Sequence, residues 1–123
     1  MGKILRGVAA LATAATAVVA MCGAAQAKPA EGDWNGCPYG AVCIWGEDRN
    51  PYLDPHPTNV YWSYGAHNLS NQYGDHYVFN NQYGGASMSL CTGYNGVGCH
   101  VALEVQEIGS FNLTPYNSVT LNR

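Results

Sequence analysis

Positively charged side chains are scarce in this chain. Five Lys and Arg stand against eight Asp and Glu in 123 residues. From residue 28 onward the imbalance sharpens. Lys28, Arg49 and Arg123 face Glu31, Asp33, Glu47, Asp48, Asp54, Asp75, Glu104 and Glu107, a net charge of −5 with histidines neutral. A surface so poor in Lys and Arg cannot neutralise a run of phosphates, so nucleic acid is not an expected partner. An anionic membrane surface is disfavoured for the same reason.

Catalytic signatures are equally thin. There is no Gly-x-Ser-x-Gly and no usable order of Ser, His and Asp. His56, His67, His76 and His100 have no HxxxH or similar spacing, so a histidine-held zinc is not expected. Glu104 and Glu107 are close enough in sequence for acid/base work, but neighbouring surface carboxylates are ordinarily just solvated. The chain is not expected to be an enzyme.

The start of the chain reads as a targeting segment. Lys3 and Arg6 precede an alanine-rich, uncharged run over 7–21, and Ala25-Gln26-Ala27 fits a small-x-small cleavage site. The apolar run is short for a membrane span and poor in Leu, Ile and Phe. Residues 1–27 are therefore expected to be a signal peptide, which makes the mature protein secreted and free of a membrane anchor. The 96 residues of 28–123 suffice for one small domain, expected to act as a monomer.

Five cysteines become four when Cys22 leaves: Cys37, Cys43, Cys91 and Cys99. An even count in a small exported chain implies two disulfides, and the sequence leaves three connectivities open. Local bridges would close loops worth about 2–2.5 kcal/mol each, against about 4 kcal/mol for a long-range one. Turn chemistry around Pro38-Tyr39-Gly40 and the glycines of 92–98 nevertheless favours Cys37–Cys43 and Cys91–Cys99. Neither C-x5-C nor C-x7-C is ordinary zinc-finger spacing.

Strand signals dominate the remainder. Val42-Cys43-Ile44-Trp45 follows a Pro-x-Gly turn, while 46–57 carries Pro51, Pro55 and Pro57 and excludes a helix. Asn59 to Tyr64 reads as one aromatic-rich strand ended by Gly65. Tyr77-Val78-Phe79 is a second, leading into a polar turn at Asn80-Asn81-Gln82 and a Tyr83-Gly84-Gly85 corner. Ala86-Ser87-Met88-Ser89-Leu90 alternates with period two, as a half-buried strand does. His100 to Val105, Phe111 with Leu113, and Val119-Thr120-Leu121 supply the rest. Asn71-Gln72-Tyr73-Gly74 and Asn81-Gln82-Tyr83-Gly84 repeat four letters ten residues apart, a spacing that suits short strands joined by similar turns.

Several of these pieces resemble a known family. Cys37-Pro38-Tyr39-Gly40-Ala41-Val42-Cys43, followed by Ile44 and Trp45, is similar to the opening of the Streptomyces metalloproteinase inhibitors, secreted actinobacterial proteins. Tyr83-Gly84-Gly85 after an aromatic strand resembles the folded hairpin of βγ-crystallin Greek keys. Tyr116-Asn117-Ser118-Val119 resembles the serine-containing close of such a repeat, with His67-Asn68-Leu69-Ser70 as the counterpart in the first half. The resemblance implies an all-β fold, a small βγ-crystallin-like Greek-key sandwich over 37–123 with two local disulfides, preceded by a flexible lead over 28–36. Where that family closes its first hairpin with an aromatic-x-Gly, Tyr52 stands without the glycine, so the first Greek key is expected to be irregular.

The resemblance also raises calcium. Crystallin-like sites offer paired Asn or Asp ahead of Ser or Thr, but 113–118 lacks the pair, and the stretch around Asn68 and Ser70 fares no better. No cofactor is expected, calcium being a weak alternative. What the resemblance does imply is inhibition of a secreted, thermolysin-like metalloprotease. Its mechanism would be a rigid loop bracketed by Cys91 and Cys99, presenting Tyr94 and Val97, with His100-Val101 as the flanking segment. Two other readings compete. Exposed Trp62, Tyr64, Tyr73 and Tyr94 would suit a carbohydrate or cell-wall binding module, and some crystallin-like secreted proteins resemble killer toxins with antimicrobial action.

Overall fold

The structure, a computed structural model, describes residues 32–123. The expected signal peptide over 1–27 lies outside the described residues. Within them the chain is all-β: two four-stranded antiparallel sheets carrying two local disulfides. The strands are β1 (Val42–Ile44), β2 (Asn59–Tyr61), β3 (Gly65–Asn68), β4 (Asp75–Asn80), β5 (Ser87–Cys91), β6 (Cys99–Leu103), β7 (Ile108–Asn112) and β8 (Ser118–Asn122). One sheet runs β2-β1-β4-β7 and the other β6-β5-β8-β3. Adding four to each number of the first order, and returning to β3 after β8, yields the second. The two halves of the chain therefore repeat one topology, and each lends its third strand to the other's sheet.

Period-two alternation explains which faces meet. Met88 and Leu90 of β5, and Val119 and Leu121 of β8, turn inward from one sheet while Val42, Ile44 and Val78 turn inward from the other. β1 and the end of β4 are buried on both faces. Their alternate residues, Cys43 and Phe79, join Trp45, Cys37 and Ala41 in a second cluster on the outer side of the first sheet. Trp34 covers that cluster, its ring centroid 4.9 Å from Phe79 and 6.1 Å from Trp45. Residues 32–36, expected within a flexible lead, are thus part of the fold. Trp34 and Cys37 exchange backbone hydrogen bonds at 2.9 and 2.8 Å, and the Asp33 carboxylate accepts from the Tyr39 amide.

Two sequence expectations need correction here. The strand expected over Asn59 to Tyr64 stops at Tyr61. The chain must there leave the first sheet for the second, and the exposed Trp62-Ser63-Tyr64 makes that passage before β3. The two Asn-Gln-Tyr-Gly copies, by contrast, lie as expected in the connections between successive short strands, one before β4 and one after it. Finally, His67-Asn68-Leu69-Ser70 is not the counterpart of the segment around Ser118. Ser118 heads the fourth strand of its half, whereas His67 and Asn68 end a third strand. At the head of β4 stands His76, buried, with Nδ1 2.7 Å from the Trp45 carbonyl and Nε2 2.9 Å from that of Tyr73. A side chain near the head of each half's fourth strand thus ties it to the loop after that half's first strand, His76 to Trp45 and Ser118 to Gly93 and Gly96.

The expected polar turn at Asn80-Asn81-Gln82 is a buried hub instead. Asn80 Nδ2 donates to the carbonyls of Ala86 and Leu103, and its Oδ1 accepts from the backbone and side-chain amides of Gln82. Asn81 Nδ2 donates to Gly32 and Cys37, its Oδ1 accepts from Gln106 Nε2, and its backbone pairs with Gly40 and Ala41. Removing one partner from a buried network strands the others, which is costlier than the bonds themselves. Asn81→Ala should therefore lower stability by about 2–4 kcal/mol in urea unfolding. Asn71→Gly, at the matching place of the other Asn-Gln-Tyr-Gly copy and at φ +60°, should change it by no more than about 0.5 kcal/mol.

Candidate functional site

β5 and β6 form a hairpin whose loop, residues 92–98, is closed at its base by Cys91–Cys99, cross-strand partners beside a bulge at Leu90/Cys91. The bracketed loop does not run as an extended segment along its length. It curls through a short 3-10 turn at Tyr94–Gly96, closed by Thr92 N–H to Gly98 O at 3.0 Å and Gly93 N–H to Val97 O at 2.8 Å. The curl is held from behind by β3 and β8. Asn68 and Asn95 exchange two hydrogen bonds, Asn117 Nδ2 donates to the Thr92 carbonyl at 2.7 Å, and Ser118 Oγ accepts from Gly96 while donating to Gly93 O at 2.7 Å. Gly96 is required here: its φ is +75°, and a Cβ would come within 2.9 Å of Thr120 Cγ2.

This tethering decides which predicted site residues are available. Tyr94 and Val97 are 56% and 65% exposed, and Val97 has extended backbone at φ −98°, ψ 137°. Cys91 is buried and serves as the inner half of the staple, while Cys99 and His100 are exposed on β6. Val101 is not available as a flanking contact, since its side chain packs against the inter-sheet core. β6 is an edge strand, so one side of its backbone carries no strand partner.

The aromatic residues singled out for sugar binding fall into two groups. Tyr73 and Tyr94 line a depression of about 140 Å³ shared with Tyr116, Asn71, Gln72 and Thr114. Trp62 and Tyr64 line a separate cleft of about 180 Å³ with Tyr39, Gly40, Gln82 and Tyr83. Sequence reading missed Tyr39 and Tyr83 in this role. The available signal was that each precedes a glycine at a chain reversal, where a ring is readily left outside the core. Tyr61, the neighbour of Trp62, turns to the core instead; burial raises its hydroxyl above the usual tyrosine range, and the hydrogen bond from Asn59 opposes that.

Among the described residues no group of three or more His, Cys, Asp and Glu is placed to hold a metal ion, and no helix is long and apolar enough to cross a membrane. His76 spends both ring nitrogens on carbonyls, and His67 Nε2 contacts the Ser63 carbonyl at 2.8 Å. Asn117 and Ser118, weighed as calcium ligands, direct their side chains to the loop backbone. The Glu107 carboxylate accepts from the Glu104 amide at 2.8 Å, closing the β6–β7 turn. Comparison of the chain with protein-family models, curated proteins and solved structures yields no match.

Ser118→Ala removes the acceptor for Gly96 and a donor to Gly93 at once. Amide exchange in 93–97 should accelerate at least tenfold, the equivalent of about 1.4 kcal/mol of local stability, while exchange in β4 stays within about twofold.

Proposed function

We propose that this chain is a secreted, non-enzymatic peptidase inhibitor with a βγ-crystallin-like Greek-key fold, resembling the Streptomyces metalloproteinase inhibitors. Its target is a thermolysin-like metalloprotease, met by the stapled loop 92–98 with Val97 as the residue for an apolar pocket. The observation that carries the reading is that Val97 is outward and extended in a loop closed by a disulfide and fastened from behind by Asn68, Asn117 and Ser118. Such a loop has little conformational freedom left to lose on binding. If the protease cut it, the Cys91–Cys99 bridge would keep the ends together. The crystallin-like assignment is supported by the repeated strand order and by the exchange of third strands between halves.

Because the loop is curled, binding uses a short segment, not a long substrate-like strand. Contact begins at Val97 and continues along the free edge of β6 at Cys99 and His100, where backbone groups can add to a cleft by strand pairing. The remaining contribution comes from Tyr94, whose exposed ring flanks the same loop.

Titration of thermolysin with the purified protein tests this. Inhibition should saturate, and Val97→Asp should weaken it by about 10–150-fold, the worth of about 1.5–3 kcal/mol for a buried apolar side chain. Leu53→Asp, at an 85% exposed residue outside the loop, should leave inhibition unchanged. Full protease activity at a large molar excess of inhibitor would overturn the reading.

A further inference from the structure

We propose that the cleft formed by Tyr39, Trp62, Tyr64 and Tyr83 binds one neutral pyranose ring of a polysaccharide. Three separate stretches of chain converge there: the turn inside the Cys37–Cys43 bridge, the passage between β2 and β3, and the exit from β4. Trp62, Tyr83 and Tyr64 are 58%, 57% and 46% exposed, large areas for rings that could have been turned into a core. The Tyr39 and Tyr83 rings sit 5.0 Å apart, tilted by 39°, and make one wall.

The cleft is built and held. Gly40 forms part of it at φ +102°, a conformation that favours glycine, and a Cβ there would crowd the Tyr83 ring at 3.3 Å while meeting Trp62 in ordinary contact at 3.5 Å. The Gly40 amide donates to the Asn81 carbonyl at 2.7 Å, and the Gln82 amide donates to Asn80 Oδ1 and the Ser87 carbonyl. Arg123 lies over the Tyr64 ring, 4.3 Å from its centroid, and limits that ring's movement. The rings thus meet a ligand already in place, which reduces the ordering cost of a weak contact.

Ligand chemistry follows from the lining. None of the six lining residues is charged, and the nearby Arg123 guanidinium is spent on the Tyr64 ring, so the lining favours a neutral ligand. Ring faces suit the apolar C–H face of a sugar, while the phenolic hydroxyls of Tyr64 and Tyr83 suit its rim of hydroxyls. At about 180 Å³ the cleft is smaller than the roughly 300–1,000 Å³ of a drug-sized site, which fits a single ring. A proline-rich peptide in polyproline II form needs a longer aromatic groove with successive pockets. The cleft shares no residue with loop 92–98, so its loss and the loss of inhibition read out separately.

The test is calorimetric titration of the purified chain with chitohexaose and with cellohexaose, sedimentation with peptidoglycan, and a parallel titration with a polyproline peptide. The three glycan arms distinguish the source of the sugar. Saturable binding to at least one glycan is expected, with Trp62→Ala and Tyr83→Ala each weakening it at least tenfold and Tyr73→Ala leaving it within about twofold. Near-UV circular dichroism identifies any variant that fails to fold, and the other of the pair then decides. Three results would overturn the proposal: no glycan binding up to about 10 mM, undiminished binding by the folded Trp62 or Tyr83 variant, or saturation by the peptide alone.

Discussion

The fold depends on a pair of buried amides. Asn80 and Asn81 sit at the point where β4 leaves the first sheet, and their side chains reach the N-terminal segment, the disulfide turn, the start of β5, the end of β6 and the β6–β7 turn. These segments are remote in sequence and would otherwise meet only through apolar contact, which is non-directional. Directional bonds in a dry interior fix which segment lies against which, because a misplaced partner leaves a polar group unpaired. Hydrophobic burial makes the sandwich compact. The amides make it one particular sandwich.

Both candidate binding features are extensions of that arrangement. The cleft is fastened to the hub directly, through Gly40 and Gln82. Loop 92–98 is fastened independently by Asn68 of β3 and Ser118 of β8, so that the strand lent by the first half braces a loop of the second. Each lies close to a disulfide between near neighbours in sequence. Such bridges constrain less of the unfolded chain than a long-range one would. Their value lies in stiffening the turns that carry exposed aromatic and apolar side chains.

Much of this was legible in the sequence, and what was not has physical reasons. Period-two alternation at Ser87-Met88-Ser89-Leu90 and the β-branched, aromatic run at Tyr77-Val78-Phe79 marked strands, because a half-buried or sandwiched strand writes its environment into its side chains. Even cysteine number and turn-rich spacing pointed to the two bridges. The hub was illegible, since Asn-Asn-Gln has the composition of an exposed turn and becomes a core only through carbonyls supplied by distant segments. The twin Asn-Gln-Tyr-Gly stretches make the point directly: Asn71 is exposed and Asn81 buried, with identical neighbours on one side. Loop 92–98 was read correctly as bounded and glycine-rich, but its curl is imposed by Asn68 and Ser118, which lie more than twenty positions away. Four aromatic residues were proposed for one sugar surface, yet they part into two separate pairs, Trp62 with Tyr64 and Tyr73 with Tyr94, because strand exchange and not sequence proximity decides which rings meet.

The lending of a strand by each half to the other has a consequence for how the domain comes into being. Neither sheet is complete until β7 has crossed back to β4 and β8 has taken its place between β5 and β3, so the first half cannot mature while the second is unfinished. Most pairings join residues far apart along the chain, a high contact order that slows folding and couples the two sheets into one cooperative unit. A chain lacking β8 would leave β3 without a strand partner and β5 paired on one side only, so damage at the end of the chain would not stay within the second half.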